Sequence, residues 1–198
     1  KALSLAPANA AVASSLGRAL LRQGDYTAAI GVLEAAIDQN PDNTALKFIN
    51  ALALPVIPES HEKLSSARER LEVKVQDVLT ENLKLTDPLN KIGMTNFQAA
   101  YHGEDDRQIQ ENLAKAYRAA CPDLNFSAPH INQTRAPGKI KIGFVSTHLG
   151  SHTIGKLNRA LIIGLNKDKF EVFIFCPGSD MRGQDDFLDE IASSADHI

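Results

Sequence analysis

Hydrophobic and polar positions change rhythm twice along the chain. Between Ala10 and Asn43 small and apolar residues fall at Leu16, Gly17, Ala29, Leu33 and Ala36, with Gly24-Asp25-Tyr26 between them and Pro41 near the end. That spacing predicts two antiparallel helices, turned by Gly24-Asp25 and stopped by Pro41. Thr44 to Leu54 continues as a helix with Leu46, Ile49, Ala53 and Leu54 on one side, and Pro55-Val56-Ile57-Pro58 ends it. A longer helical pattern runs from His61 to Leu85, carried by Leu64, Leu71, Val75, Val78 and Leu79, and Thr86-Asp87-Pro88 breaks it. Glu104 to Asp106 open another helix, whose stripe is Ile109, Leu113, Ala116 and Tyr117 and whose end is Cys121-Pro122. After a stretch with Pro129 and Pro137 that reads as a linker, the rhythm becomes that of strands. Lys139 to Ser146 is β-rich and begins by alternating, with Ile140, Ile142 and Phe144 on one side. Thr153 to Asn166 is amphipathic, and Ile154, Leu157, Leu161 and Leu165 are expected to face inward. Phe170 to Cys176 is nearly continuously apolar, as strands covered on both faces tend to be. Strand, helix, strand in this span predicts a parallel βαβ unit with a right-handed crossover. Gln184 to Ser194 reads as the next helix and Asp196-His197-Ile198 as the start of a further strand.

The first unit, Ala10 to Asn43, has the 34-residue length and the residue positions of a tetratricopeptide repeat. Ala2 and Pro7 echo Ala36 and Pro41 one period earlier, so the chain is expected to begin inside the second helix of a preceding repeat. One repeat cannot bury its own face, which leads to the expectation that the chain is a fragment of something larger. Such an array is either a spacer or a concave groove for peptides.

Of 198 residues, 43% are hydrophobic and 23% charged, the profile of a folded domain or two small ones. A net charge of −3 with no basic stripe gives no case for nucleic acid, and no apolar run is long enough for a membrane span. Cys121 and Cys176, far apart and without ligand spacing, fit a reducing compartment, so the cytoplasm is the expected location. No metal site is expected: His148 and His152 flank a glycine in a loop, with no carboxylate or cysteine at ligand spacing.

Candidate chemistry sits in the loop Thr147-His148-Leu149-Gly150-Ser151-His152. It joins the carboxyl end of the first strand to a helix start, where open parallel sheets bind ligands. Free N–H groups and the helix dipole there favour anionic groups. Gly150 allows close backbone approach, and Ser151 or Thr153 can cap the helix. His152 can serve as a general base or as a polar contact to a sugar or phosphate; turning and capping alone would also explain these residue types. In Tyr101-His102-Gly103, His102 reads either as a ligand-facing residue or as a loop histidine packed on the next helix. No GxGxxG fingerprint or P-loop is present.

In order, the array, DPLNKIGMTNFQAAYHGEDDRQIQENLAKAYRAACP, a Pro-containing linker and KIKIGFVSTHLGSHTIGKLNRALIIGLNKDKFEVFIFCPG resemble the bacterial, SPINDLY-like members of the O-linked N-acetylglucosamine transferase family. The resemblance covers almost the whole chain. It implies an inverting, metal-independent glycosyltransferase of the GT-B type that uses no cofactor. Two Rossmann-like lobes would form its cleft, and the array would present protein acceptors. The nucleotide sugar is implied to be UDP-N-acetylglucosamine, with UDP-glucose or GDP-fucose as alternatives. The family's Val-Ser, short loop, Gly-x-His falls on Val145-Ser146 and Gly150-Ser151-His152, which makes His152 the implied catalytic residue. Gly150, Ser151, Thr153 and His102 are then candidate cleft residues. His148 stands where the animal enzymes have an acidic residue, and Thr153-Ile154-Gly155-Lys156 replaces a Pro-containing run.

The expected organisation is therefore an α plus α/β chain. Residues 1–58 end the tetratricopeptide array, 59–124 form a helical connecting segment, 125–138 a linker, and 139–198 the incomplete first part of a Rossmann-like lobe. The expected function is transfer of a sugar to Ser or Thr of proteins, by the whole protein and not by this fragment alone. The competing reading is a tetratricopeptide adaptor for protein or peptide partners, with a non-catalytic α/β lobe.

Overall fold

A computed structural model describes residues 9–134, 137–177 and 185–198. The expected helix of a preceding repeat falls on residues outside these, as does Gln184, the first residue of the expected last helix. The chain divides into two compact units, residues 1–128 and 129–198.

The first unit is helical. Asn9 caps α1 (Ala10–Gln23) by accepting from the amides of Ala11 and Val12, both at 3.1 Å. Gly24, at φ +87°, closes that helix, and Asp25 caps α2 (Tyr26–Gln39) by accepting from Ala28 N–H at 3.0 Å. The two helices meet where Gly17 faces Leu33: a Cβ on Gly17 would lie 2.9 Å from the leucine side chain. Leu33 is wholly buried there, as are Ala13 and Ala29.

Capped by Asn43, α3 (Thr44–Leu52) packs against both of these helices and against those that follow. The apolar stripe expected on one of its sides is not its only buried face. Leu46, Phe48, Ile49, Ala51 and Leu52 are all buried, and so are Ala53 and Leu54 beyond its end. The cause is position: a helix with neighbours on several sides has little free face. Then α4 (His61–Thr80), capped by Ser60, buries Leu64, Ala67, Leu71, Val75 and Val78. It stops at Thr80 and not at Leu85, because Leu85 is drawn into another pairing: its N–H donates to the Ala120 carbonyl at 2.8 Å. A short α5 (Pro88–Ile92) and a 3₁₀ turn (Phe97–Tyr101) lead to α6 (Arg107–Ala120), which buries Ile109, Leu113, Ala116 and Ala120. One apolar core runs through all of these helices.

Three arginines among the described residues tie the helices by side-chain bonds, and the first, Arg18 of α1, donates to the Ile92 carbonyl of α5 at 2.9 Å. Arg70 of α4 donates to the Asn50 carbonyl at 3.0 Å and to its Oδ1 at 2.6 Å, and pairs with Glu34 of α2. Arg68, buried, donates to the Asp105 carbonyl and lies 2.8 Å from Asp106 Oδ1 at the start of α6.

In the second unit, β1 (Ile140–Val145) pairs in parallel with β2 (Phe170–Phe175), in register from Ile140 opposite Phe170 to Val145 opposite Phe175. The crossover carries α7 (Thr153–Ile163), and α8 (Asp186–Ser194) follows β2. After it the chain returns to the sheet, where His197 bridges Phe173 in parallel. Leu149, Ile162, Val172, Ile174, Leu188 and Ile191 form the core.

Two expectations are corrected here. Along β2, Val172 and Ile174 are buried while Phe175 is 50% exposed, so the strand is well covered on one face among the described residues. On α7, Ile154, Leu157 and Leu161 face outward, with Leu157 73% exposed, and only Leu165 of the expected inward set packs on the core. The buried face is Gly155 and Ile162, two turns apart. Gly155 decides this rotation: a Cβ on it would lie 2.1 Å from the Gly150 carbonyl oxygen and 2.3 Å from that of Leu149. The helix can press its backbone on the loop only at that residue.

Replacing Leu33 with Ala removes the side chain seated on Gly17 and should cost about 2–5 kcal/mol in a denaturant titration. Gly17→Ala alone should cost about 1–3 kcal/mol by overpacking, and less in the Leu33→Ala background. Strict additivity of the two changes would show that they do not share a contact.

Candidate functional site

The loop after β1 is built by a chain of short hydrogen bonds. Ser146 N–H donates to the Phe175 carbonyl at 3.0 Å, which extends the ladder by one residue. Its Oγ accepts from His148 N–H at 3.0 Å and turns the chain. Leu149 drops into the core, and His152 N–H donates to the Gly150 carbonyl at 2.7 Å. Extended backbone at His152 (φ −114°, ψ 158°) makes it the first residue before α7.

His152 is itself the helix cap, where Ser151 or Thr153 was expected. Its Nδ1 accepts from Ile154 N–H at 3.2 Å. A neutral imidazole can do this because its ring has one unprotonated nitrogen. The bond also assigns the tautomer: with Nδ1 accepting, the neutral ring carries its proton on Nε2. The Nδ1 lone pair of His152 is therefore already engaged, and the residue lines the cavity. The ring stacks on that of His148, with centroids 4.4 Å apart and planes 24° apart.

The free amides expected to hold an anion are partly taken as well. Asp185, which caps α8, reaches back across the loop. Its Oδ1 accepts from Phe187 and Leu188 at 3.0 and 3.1 Å, and its Oδ2 accepts from Ser151 N–H at 2.5 Å. The carboxylate is buried under Gly150, where a Cβ would stand 2.3 Å from Oδ2. The close approach that Gly150 permits is thus to a carboxylate of this chain. The Ser151 amide above all holds the Asp185 carboxyl below its usual range. Burial opposes this, and the Leu188 and Phe187 amides and Lys156 add to it.

Together these residues line an open cavity of 270 Å³, with His148, Gly150, Ser151, His152 and Asp185 on its wall and Cys176 beside them. Burial pushes the Cys176 thiol up, away from the reactive thiolate. Thr153 is exposed at the first position of α7. The cavity thus brings together three of the five candidates read from the sequence, Gly150, Ser151 and His152, and Thr153 lies beside them in the chain but not on the wall. Asp185 is the member that sequence reasoning missed. An Asp just before an apolar helix is a visible cap signal, but nothing local to it points to Ser151.

His102, the fifth candidate, belongs to the helical unit. It follows the 3₁₀ turn, and both ring nitrogens are enclosed without a partner in hydrogen-bond geometry. Burial holds its pKa below the ordinary value, with Arg68 acting the same way; Asp106, the Pro55 carbonyl and Glu104 oppose them. The ring is enclosed next to the residues that open α6. Among the described residues no group of three or more His, Cys, Asp or Glu is placed to hold a metal ion, and no helix is long and apolar enough to cross a membrane.

Residues 1–53 match the tetratricopeptide repeat family, so the amino-terminal part of the chain is a tetratricopeptide-type helical array. No curated protein matches the chain. Among solved structures, a mutant O-GlcNAc transferase of Thermobaculum terrenum is similar at a TM-score of 0.43 and 19% identity, over 99% of this chain and 29% of that one. The chain thus spans under a third of that enzyme's length.

Gly155→Ala should unseat α7 from the loop, since the new methyl meets backbone carbonyls that cannot turn aside. Limited proteolysis between residues 146 and 163 should become fast, whereas Gly164→Ala, just past the far end of α7, should have a smaller effect. For His102 the sign follows from its lowered pKa: the unfolded chain binds the proton more readily. Stability is then whole above the unfolded histidine value, about 6.5, and declines as pH falls from there towards the lowered folded value. His102→Leu should flatten that decline in urea titrations of the helical unit's transition; an unchanged slope would locate the acid sensitivity elsewhere.

Proposed function

We propose that this chain is part of a protein O-glycosyltransferase that moves a sugar from a nucleotide sugar to Ser or Thr hydroxyls. The observation that carries the reading is the loop after β1. It stands at the carboxyl end of a parallel strand, lines an open cavity, and presents His152 from a fixed helix cap. The order of the segments and the Val-Ser…Gly-x-His wording, similar to SPINDLY-like transferases, support the same reading. In it, residues 139–198 contribute to the first of two Rossmann-like lobes of a GT-B enzyme, the helical array presents acceptor proteins, and the protein works in the cytoplasm.

The reaction is a direct displacement with inversion. The acceptor oxygen forms a bond to the anomeric carbon while the bond from that carbon to the diphosphate oxygen breaks and leaves its electron pair on the nucleotide. The hydroxyl proton leaves to a base. His152 takes part through Nε2–H, which donates to an oxygen of the sugar or of the incoming hydroxyl. To act as the base it must first release Ile154 N–H and exchange tautomers. The donor is UDP-N-acetylglucosamine in this reading, with UDP-glucose and GDP-fucose as the other donors to try. No metal and no further cofactor takes part.

A second reading, a protein-binding adaptor, is favoured by one observation: the tetratricopeptide match over residues 1–53. Repeats of this kind commonly serve as concave binding surfaces.

The deciding experiment incubates the full-length parent protein with each nucleotide sugar and reads the intact mass of acceptor proteins. Addition of one N-acetylhexosamine, hexose or deoxyhexose establishes transfer and names the donor. Binding of acceptors without any mass gain favours the adaptor. His152→Asn keeps an oxygen to cap α7 but loses the ring donor, and should lower kcat about a hundredfold with the fold intact. Full activity of that variant would remove His152 from the chemistry.

A further inference from the structure

Asp185 lies 34 residues from Ser151 in sequence and is joined to it by the shortest backbone-to-side-chain bond of the loop, 2.5 Å. One carboxylate does two separate tasks. Oδ1 receives the first amides of α8, and Oδ2 receives the amide immediately before His152. The space it occupies exists because residue 150 has no Cβ, and the carboxylate lines the same cavity as His148 and His152. Between Ser151 and α7 there is no slack. His152 is the next residue, its amide is bonded to the Gly150 carbonyl, and its ring is bonded to Ile154.

We propose that Asp185 is a positioning residue of this site: by holding Ser151 N–H it fixes the backbone from which the His152 ring reaches the cavity. The proposal rests on the transferase reading for its kinetic consequence, and on the geometry alone for the tether. A corollary concerns ligand class. With a carboxylate already on the loop amide, the cavity favours neutral hydroxyl groups, those of a sugar or of an acceptor Ser or Thr, over a phosphate.

Asp185→Asn separates the two tasks. Its amide oxygen can still cap α8, because Asn is as good a cap as Asp, but an NH₂ then faces the Ser151 N–H and cannot accept from it. In the full-length protein, hydrogen exchange read by mass spectrometry should rise about tenfold or more in peptides covering residues 147–157 and stay unchanged over 186–194. The kcat for transfer should fall roughly ten- to hundredfold with KM for the donor little altered, as expected when a reacting group loses its placement. Asp185→Glu, which restores an acceptor on a longer arm, should recover part of the exchange protection. Unchanged exchange over 147–157 overturns the tether. Equal loosening of both regions reduces Asp185 to a helix cap and also overturns it; increased loop exchange with undiminished kcat leaves the tether standing and overturns the positioning role. If the wild-type protein transfers no sugar at all, the transferase reading fails, while the exchange arms still decide the tether.

Discussion

The α/β unit depends on one steric constraint, the contact of the α7 backbone with the carbonyls of Leu149 and Gly150. Two residues without a Cβ make it possible. Gly155 lets the helix come down on the loop, and Gly150 lets the loop come down on Asp185. From that contact the rest follows. Helix rotation is fixed, so Ile162 enters the core beside Val172 and Ile174. The loop is pinned between a helix on one side and a carboxylate on the other, and the residue left at the rim is His152. Interiors this close do not deform continuously, so a side chain carried by such a loop has few places to stand.

The helix cap and the orientation of the His152 ring are one interaction. The bond from Ile154 N–H to His152 Nδ1 satisfies an amide that the first turn leaves unpaired, and it also decides which ring nitrogen carries the proton. A serine or aspartate at this position would cap at least as well but would bring no imidazole to the cavity wall. One residue thus both starts the helix and carries an imidazole oriented by its own cap bond.

Much of this was legible in the sequence because it is local. The Gly17, Gly24-Asp25 and Ala29 spacing announces the paired helices, and the strand, helix, strand rhythm announces the parallel pair. Where the reading failed, the deciding contact was distant or small. Ile154, Leu157 and Leu161 make the more apolar stripe on α7, yet the helix turns its smallest residue inward, since backbone contact through Gly155 outweighs a stripe of larger side chains. The second face of β2 was misjudged because a run of apolar residues does not say which neighbours cover it. Asp185 was invisible for the same reason: its cap is written in the residues beside it, but its bond to Ser151 depends on how two loops at the strand ends meet.

That meeting changes how the helix dipole is used. A helix start at the end of a parallel strand is a natural seat for phosphate, and the residue types in this loop allow that role. Here the positive end is answered from within the chain: the Ser151 amide by Asp185, the Ile154 amide by a histidine, with Lys156 adding to the field that keeps Asp185 ionised. A diphosphate brought to the same place would have to displace a carboxylate that three amides hold below its usual pKa range. On the transferase reading proposed above, this cavity takes hydroxyl groups and the charged part of the nucleotide sugar lies on another surface. In a transferase that division has a use, because the leaving diphosphate and the incoming alcohol must lie on opposite sides of the carbon between them. A loop that prefers the alcohol to the phosphate is suited to one of those sides.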